Sequence, residues 1–331
     1  YGSIHGDADG LKEEMTIWDR EETYSSLHDN ANEIKEEMKE ETAFWYNLGY
    51  QIGGPLYMGL CLWLKKKLGH QKLFCLSRDG YNLTRLLPQF GISDVEYIYA
   101  SRRALLLPHI TRLGQSELEL LPPYSCGQSV GEILSYIGLD EIPEAEIRKA
   151  GFDGACAVIR GKSDIKRLKQ LYKRNEKLIL ESCRQERAGL KKYFASKELF
   201  RKELYQQLLF QKEVCFFDSG WNGTSQYLLR KIYQALQTKG SIRFYYAGIK
   251  SNADSRQRLK GCRFQSYFAG TMDRRTMNQL LASSAVLELF FSEDAPAVER
   301  YGISGIQFDA YQKREYIRCV NQGIEDYIRQ N

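Results

Sequence analysis

Two stretches of this chain share a design that constrains the fold more than any bulk property. In KLFCLSRDGYNLTRLL (Lys72–Leu87) and EVCFFDSGWNGTSQYLLRKIYQAL (Glu213–Leu236), a short run of consecutive apolar residues gives way to a polar, glycine-bearing turn and then to a helical pattern. Side chains alternate along a strand, so a strand apolar at successive positions is apolar on both faces. Such strands belong in a parallel sheet covered by helices on both sides. VEYIYASRRALLL (Val95–Leu107) repeats the strand-then-polar order, and IRFYYAGIKS (Ile242–Ser251) reads as a fourth strand. The predicted fold class is α/β: a mostly parallel sheet with flanking helices. Its strands should end at Leu76, Tyr99, Phe217 and Ala247, each buried on both faces.

The rest of the chain is more helical. Residues 1–30 are acidic, polar and poorly periodic, which suggests a linker or the remnant of an upstream domain. The chain begins at Tyr1 without a Met, so a longer protein is expected. Residues 31–331 are read as one domain carrying a helical insertion at about 114–212. That insertion is expected to pack beside the ligand end of the sheet; a plain structural insert fits the same pattern. Before the first strand, Phe44, Leu48, Ile52, Leu56, Met58 and Leu62 follow helical spacing, and Gly53–Gly54–Pro55 should split the segment into two helices. From Tyr311 the tail reads as an amphipathic helix.

Composition excludes several classes. The apolar share of 43% and charged share of 27% are globular values. A net charge of +5 on 331 residues gives little support for nucleic acid as a partner. It suits small anionic ligands or a weak approach to an anionic membrane. The eight Cys include no CxxC pair, and Cys61, Cys75 and Cys215 lie in apolar runs, which points to a reducing, cytoplasmic compartment. None of the four His stands at metal-ligand spacing with Cys, so no structural zinc is expected. The 22 Tyr imply a Tyr-rich core or a polar groove.

Three loops carry the chemistry. FFDSGWNGTSQ (Phe216–Gln226) ends a buried strand in Asp218. Ser219, Gly220, Asn222 and Gly223 then form a tight loop, and Thr224 and Ser225 open a helix whose free N–H groups make an anion site. Asp218 can meet ribose hydroxyls or a metal-bound water; an Asp turn with a Thr cap needs no ligand at all. In LSRDG (Leu76–Gly80), Ser77, Arg78 and Asp79 stand at the strand-to-helix turn. Arg78 can grip phosphate and Asp79 can orient it or take a proton, although a surface ion pair would satisfy the same residues. In YASRRAL (Tyr99–Leu105), at least one of Arg102 and Arg103 should face the sheet end. Glu293 and Asp294 follow an apolar helix end and can bind sugar hydroxyls or act as a base, or simply be solvated. His109 is read as structural and Lys250 as a surface lysine. On one sheet end, two Arg-bearing loops and one anion loop suit a diphosphate or phosphosugar.

GGPLYMGLCLWL (Gly53–Leu64), LSRDGY, YASRRAL, FDSGWNGTSQ and LELFFSEDAP (Leu287–Pro296) together resemble the glycan-directed phosphoribosyltransferase domain of bacterial dual-domain ribofuranosyltransferases. The resemblance spans about Ala43–Tyr301 in the same order. It implies a type I phosphoribosyltransferase-like fold. It also implies transfer of 5-phosphoribosyl from phosphoribosyl pyrophosphate to a lipid-linked surface glycan such as an O-antigen or capsule. The location implied is cytoplasmic, peripheral to the inner membrane, with a haloacid-dehalogenase-like phosphatase domain as partner. The phosphatase DxDxT motif is absent from this sequence. On this reading Asp79, Asp218 and Arg78 are catalytic. Ser77, Arg102, Arg103, Ser219, Gly220, Asn222, Gly223, Thr224, Ser225 and Glu293 bind substrate, with Mg²⁺ as candidate cofactor. Ser219 replaces the second of the two adjacent acidic residues in the usual loop, which puts the ordinary mode of metal use in question. The alternatives are a phosphatase-like hydrolase or a non-catalytic phosphosugar-binding module in polysaccharide assembly.

Overall fold

The apolar runs form β1 (Leu73–Leu76), β2 (Val95–Ile98), β3 (Val214–Asp218) and β4 (Ile242–Tyr246). They are joined by β5 (Arg263–Ser266), whose RFQS sequence has no apolar run to announce it. This computed structural model describes residues 40–122, 126–197, 199, 213–236 and 241–331; the linker expected over 1–30 lies outside them. The five strands form one sheet in the order β2-β1-β3-β4-β5, and every pair is parallel. The molecule is therefore α/β with helices over both faces. Burial on both faces holds for β1 and nearly all of β3, but β2 lies at the sheet edge and is buried only at Ile98.

Register explains the two apolar layers. Phe74 is paired with Phe216, and Phe216 with Phe244, so the three rings line one face at centroid spacings of 5.8 and 5.2 Å. This face packs on Leu228, Leu229 and Ile232 of the helix Thr224–Ala235 and on Leu190 and Phe194. Cys75, Phe217 and Tyr245 occupy the next register positions and face the other way, toward Tyr57, Leu60, Cys61 and Leu64. Each fully buried ring of this kind contributes roughly 1.5–3 kcal/mol through loss of contact with water.

The Gly53–Gly54–Pro55 segment does not break the helix as the sequence suggested. The helix Glu40–Leu48 runs through a π-helical turn, Gly49–Gly53, straight into Gly54–Leu68, with Pro in its first turn. Proline lacks only its own N–H and its φ suits a first turn, so the π turn absorbs it without a bend to coil. The C-terminal helix, Glu315–Gln330, begins a few residues later than Tyr311 and crosses this turn. A Cβ on Gly49 would lie 2.0 Å from the Val320 carbonyl oxygen, so the two backbones meet where no side chain intervenes.

Over its described residues the insertion is helical: Gln115–Leu120, Val130–Tyr136, Glu144–Lys149, Lys162–Arg174 and Glu176–Ser196. Leu118, Ile133, Leu168, Leu171 and Ile179 build a separate apolar cluster there. The last of these helices reaches the carboxyl end of β2. Arg103, 5% exposed, meets Glu186 of that helix at 3.3 Å, and its Nε donates to the Tyr136 carbonyl. Burial pushes the Glu186 carboxyl up, against the pull of Arg103. A β6–β7 hairpin (Val298–Tyr301 and Ile306–Phe308), which the sequence did not reveal, lies against the same end of β2.

Removing one member of a buried ion pair leaves the other charged and desolvated. Glu186→Ala should therefore lower unfolding free energy by about 3–5 kcal/mol in urea titration. A loss below about 1 kcal/mol would mean that the pair does not hold the insertion to the sheet.

Candidate functional site

The chain leaves β1 for β2 on one side and then returns to place β3 on the other side of β1. In open parallel sheets, ligands bind outside the carboxyl ends of strands at such a reversal. The loops after β1 and β3 flank it, and they carry the Arg78–Asp79 and Asp218–Gly223 motifs.

The β1 loop is held tightly. The Ser77 hydroxyl donates to the Ala100 carbonyl at 2.8 Å and accepts from the Ala100 amide at 3.1 Å. It laces β1 to β2, so its hydrogen-bonding capacity is largely spent on the fold. Arg78 follows with φ 68°, the one non-glycine residue in the left-handed region among the described residues. For a side chain larger than Gly this costs on the order of 1–3 kcal/mol and persists only when surroundings enforce it. The enforcing contact is Tyr97: the Arg78 amide donates to its hydroxyl at 2.9 Å, and that hydroxyl donates to Glu293. The Arg78 guanidinium forms no ion pair among the described residues, and its Nε is buried without a hydrogen-bond partner.

The β3 loop supplies the second wall. Asp218 is 2% exposed and accepts from the Gly220 amide at 3.1 Å. Gly220 has φ 129°, and a Cβ there would lie 1.9 Å from the Gly248 carbonyl oxygen, so no other residue fits. The loop is laced to the chain after β4: the Gly248 amide donates to the Ser219 carbonyl at 3.1 Å and the Lys250 amide to the Trp221 carbonyl at 2.8 Å. Asn222 accepts from Asn252 at 2.9 Å. Gly223 then turns through φ 66° into the helix Thr224–Ala235, whose first amides are free of helical partners. Arg258 reaches Thr224 Oγ1 at 3.3 Å, while Ser225 is buried.

The Asp79 carboxyl lies close enough to Asp218 and Ser219 for both to bear on its charge. Burial first, and Asp218 second, raise the Asp79 carboxyl well above the ordinary Asp value; Ser219 and Arg78 pull it down less. Two neighbouring carboxyls cannot both ionise without mutual repulsion, so Asp79 keeps its proton above the range where an isolated Asp ionises. Such a pair can both release and accept a proton. It also offers two carboxylates of the kind that hold Mg²⁺ jointly with phosphate oxygens. Among the described residues no group of three or more His, Cys, Asp or Glu gathers as a metal site.

The adjacent arginines separate. Ser101 caps their helix by accepting from the Ala104 amide at 2.9 Å, so Arg102 and Arg103 fall in its first turn, about 100° apart around the axis. Arg102 turns to the site and donates to the Gly220 carbonyl at 3.0 Å. Arg103 turns into the Glu186 pair, so the substrate-binding role expected of it is withdrawn: its guanidinium is committed to a buried structural contact. Glu293 comes to the edge of the site through Tyr97; burial raises its carboxyl, against the Tyr97 hydrogen bond. Sequence reasoning passed over Tyr97, Arg258 and Trp221, whose indole donates to Glu288 at 3.0 Å. Tyr97 was detectable as the partner of Tyr99 on one strand face, ahead of the Arg pair. Nothing in sequence spacing brings Arg258 to Thr224.

The class defined so far is an α/β protein whose switch-point site sets a pair of neighbouring Asp carboxyls beside an arginine without an ion pair and a helix N-terminus. No protein-family model and no curated protein matches the chain. Among the described residues no helix is long and apolar enough to cross a membrane.

The raised Asp79 carboxyl sets a sign for stability. A group that binds its proton more tightly when folded stabilises fully below its unfolded pKa, about 4. That contribution is lost as pH rises through the folded value. Asp79→Asn has no proton to lose. The melting temperature of the native chain should therefore fall relative to Asp79→Asn between pH 4 and 8. Parallel profiles across that range would mean that Asp79 does not hold its proton in the folded chain.

Proposed function

We propose that this chain transfers 5-phosphoribosyl from phosphoribosyl pyrophosphate to a hydroxyl of a glycan, on a phosphoribosyltransferase-like variant of the α/β fold. The observation that carries the reading is Arg78, whose strained backbone holds an unpaired guanidinium beside the Asp79–Asp218 pair. An arginine kept from forming an ion pair is suited to a ligand's phosphate oxygens, which it can grip through two N–H groups.

In this reading Arg78 and Arg102 offset charge on the pyrophosphate, which grows as the C1–O bond breaks. The amides of Gly223, Thr224 and Ser225, with Arg258 beside them, hold the 5-phosphate at the helix N-terminus. The acceptor hydroxyl oxygen bonds to C1, pyrophosphate departs with the electron pair of the broken bond, and the hydroxyl proton passes to the carboxylate pair. Asp79 and Asp218 would also be the residues to hold Mg²⁺, which would supply further charge compensation at the pyrophosphate. The product keeps its 5-phosphate, so a phosphatase must follow if ribofuranose is the final residue. A haloacid-dehalogenase-like partner domain would serve, and a lipid-linked acceptor would bring the chain to the cytoplasmic face of the inner membrane.

A hydrolase is the second reading, favoured by the same dyad: one Asp could attack phosphorus while the other supplies a proton. Both readings meet in one assay, in which labelled donor is incubated with and without acceptor glycan. Labelled glycan with release of pyrophosphate supports transfer, whereas free phosphate in the absence of acceptor replaces it with hydrolysis. Asp218→Asn keeps the shape and removes the charge, and transfer should drop about a hundredfold or more, the scale of losing a charged hydrogen bond. Its melting temperature should change little, because the amide oxygen still accepts from Gly220. Undiminished transfer by this variant would reject a catalytic role for Asp218.

A further inference from the structure

We propose that the aromatic corner formed by Tyr99 and Phe308 is a sugar-binding subsite that seats the acceptor's terminal ring. Calling that sugar the acceptor rests on the transfer reading; the binding of a sugar stands on the corner itself.

Tyr97 and Tyr99 project from the same face of β2 and its extension, with rings at 87° and centroids 5.4 Å apart. Phe308, from the β6–β7 hairpin, meets Tyr99 at 85° and 5.3 Å. Two rings at right angles make a corner that can cover one face and one edge of a small ring. Tyr99 and Phe308 are each 40% exposed, which few of the described aromatic residues are. Their exposure is not looseness. The Tyr99 amide donates to the Tyr193 hydroxyl at 2.8 Å, and its carbonyl accepts from the Tyr301 hydroxyl at 2.8 Å. Phe308 is fixed by pairing with Val298.

The surroundings select the occupant. Glu293 lies one hydrogen bond from Tyr97, and Tyr311, also exposed, donates to Asp294 at 2.6 Å. Asp309 follows Phe308 directly. Arg314, which donates to the Glu293 carbonyl at 2.9 Å, stands on the same rim, so the carboxylates serve there as acceptors beside a cation. Carboxylates are acceptors only, and sugar hydroxyls are donors. A neutral sugar ring has an apolar C–H face for the aromatic walls and hydroxyls for the rim. The corner also adjoins the reacting groups, because the Tyr97 hydroxyl touches both the Arg78 amide and Glu293. A ring held there stands on the Glu293 side of Arg78, away from the helix N-terminus assigned to the 5-phosphate.

The test uses the chain without donor and a panel of neutral disaccharides of hexose and N-acetylhexosamine, read by saturation-transfer NMR. At least one should bind, and Tyr99→Ser with Phe308→Ser should weaken it by about tenfold or more. Phe308→Tyr, which keeps the wall, should retain binding, and an unchanged melting temperature of the double variant shows that its loss of binding is not misfolding. The affinity for phosphoribosyl pyrophosphate, by calorimetry, should change less than about twofold in every variant. Absence of binding by the whole panel, or equal binding by a folded double variant, overturns the subsite. Donor transfer that persists with unchanged acceptor KM in that variant leaves the transferase reading standing without this corner. Sugar binding at the corner with no transfer leaves the corner standing and removes the transferase reading.

Discussion

The site depends on the pairing of β1 with β3. These strands are far apart in sequence, yet their parallel register, Cys75 opposite Phe217, carries both chains to the same end of the sheet. There the two following loops have no strand between them, and each opens beside a carboxyl: Asp218 closes β3, and Asp79 lies three residues past β1. Bringing Asp79 against Asp218 works against electrostatics unless a proton is shared or a cation supplied. The surrounding fold accepts the cost: the Gly220 amide and Ser219 steady the pair, while the Phe74–Phe216–Phe244 ladder locks the register beneath it. A slip of one residue would turn that ladder over and separate the carboxyls.

Arginine placement follows from helix geometry and desolvation. Arg102 and Arg103 are neighbours in sequence and strangers in space, since one helical residue turns the next away by about 100°. The one that turns inward is paired with Glu186, because an unpaired charge at that depth would be untenable. The pair fastens the helical insertion to the sheet. Arg78 has the opposite history. Its backbone is held by Tyr97 in a conformation that a free loop would leave, and its guanidinium forms no ion pair among the described residues.

Tyrosine does much of the holding elsewhere. Tyr57 donates to the Phe290 carbonyl at 3.0 Å, Tyr172 to the Pro122 carbonyl at 2.8 Å and Tyr246 to Gln226 at 3.2 Å, each ring being buried. Such a residue fills a core and also ties down a loop carbonyl or side chain that would otherwise be unsatisfied. Asn82 and Asn321 extend this below the site: Asn82 donates to Asn321 at 2.8 Å, and Asn321 to the Ser292 carbonyl at 3.0 Å. The segment leading to Glu293 is thereby anchored to the C-terminal helix.

Consecutive apolar residues in LFCL and VCFFD were enough to determine buried parallel strands, and the residues after them marked the loops at the carboxyl ends. Asp79, Arg78 and the Gly220–Thr224 turn were legible because strand, glycine loop and helix start are local patterns. The edge strand β5 and the β6–β7 hairpin were not, since RFQS, VERY and IQF lack an apolar run and are held by pairing with distant segments. The split at Pro55 was misjudged because a π turn repairs locally what propensity forbids. Only the tertiary structure decided which of two adjacent arginines turns to the β3 loop, that Tyr97 holds Arg78 strained, and that Arg258 reaches Thr224. Each depends on which side of an element meets which neighbour, and that is set by long-range register and packing, to which local sequence spacing is blind.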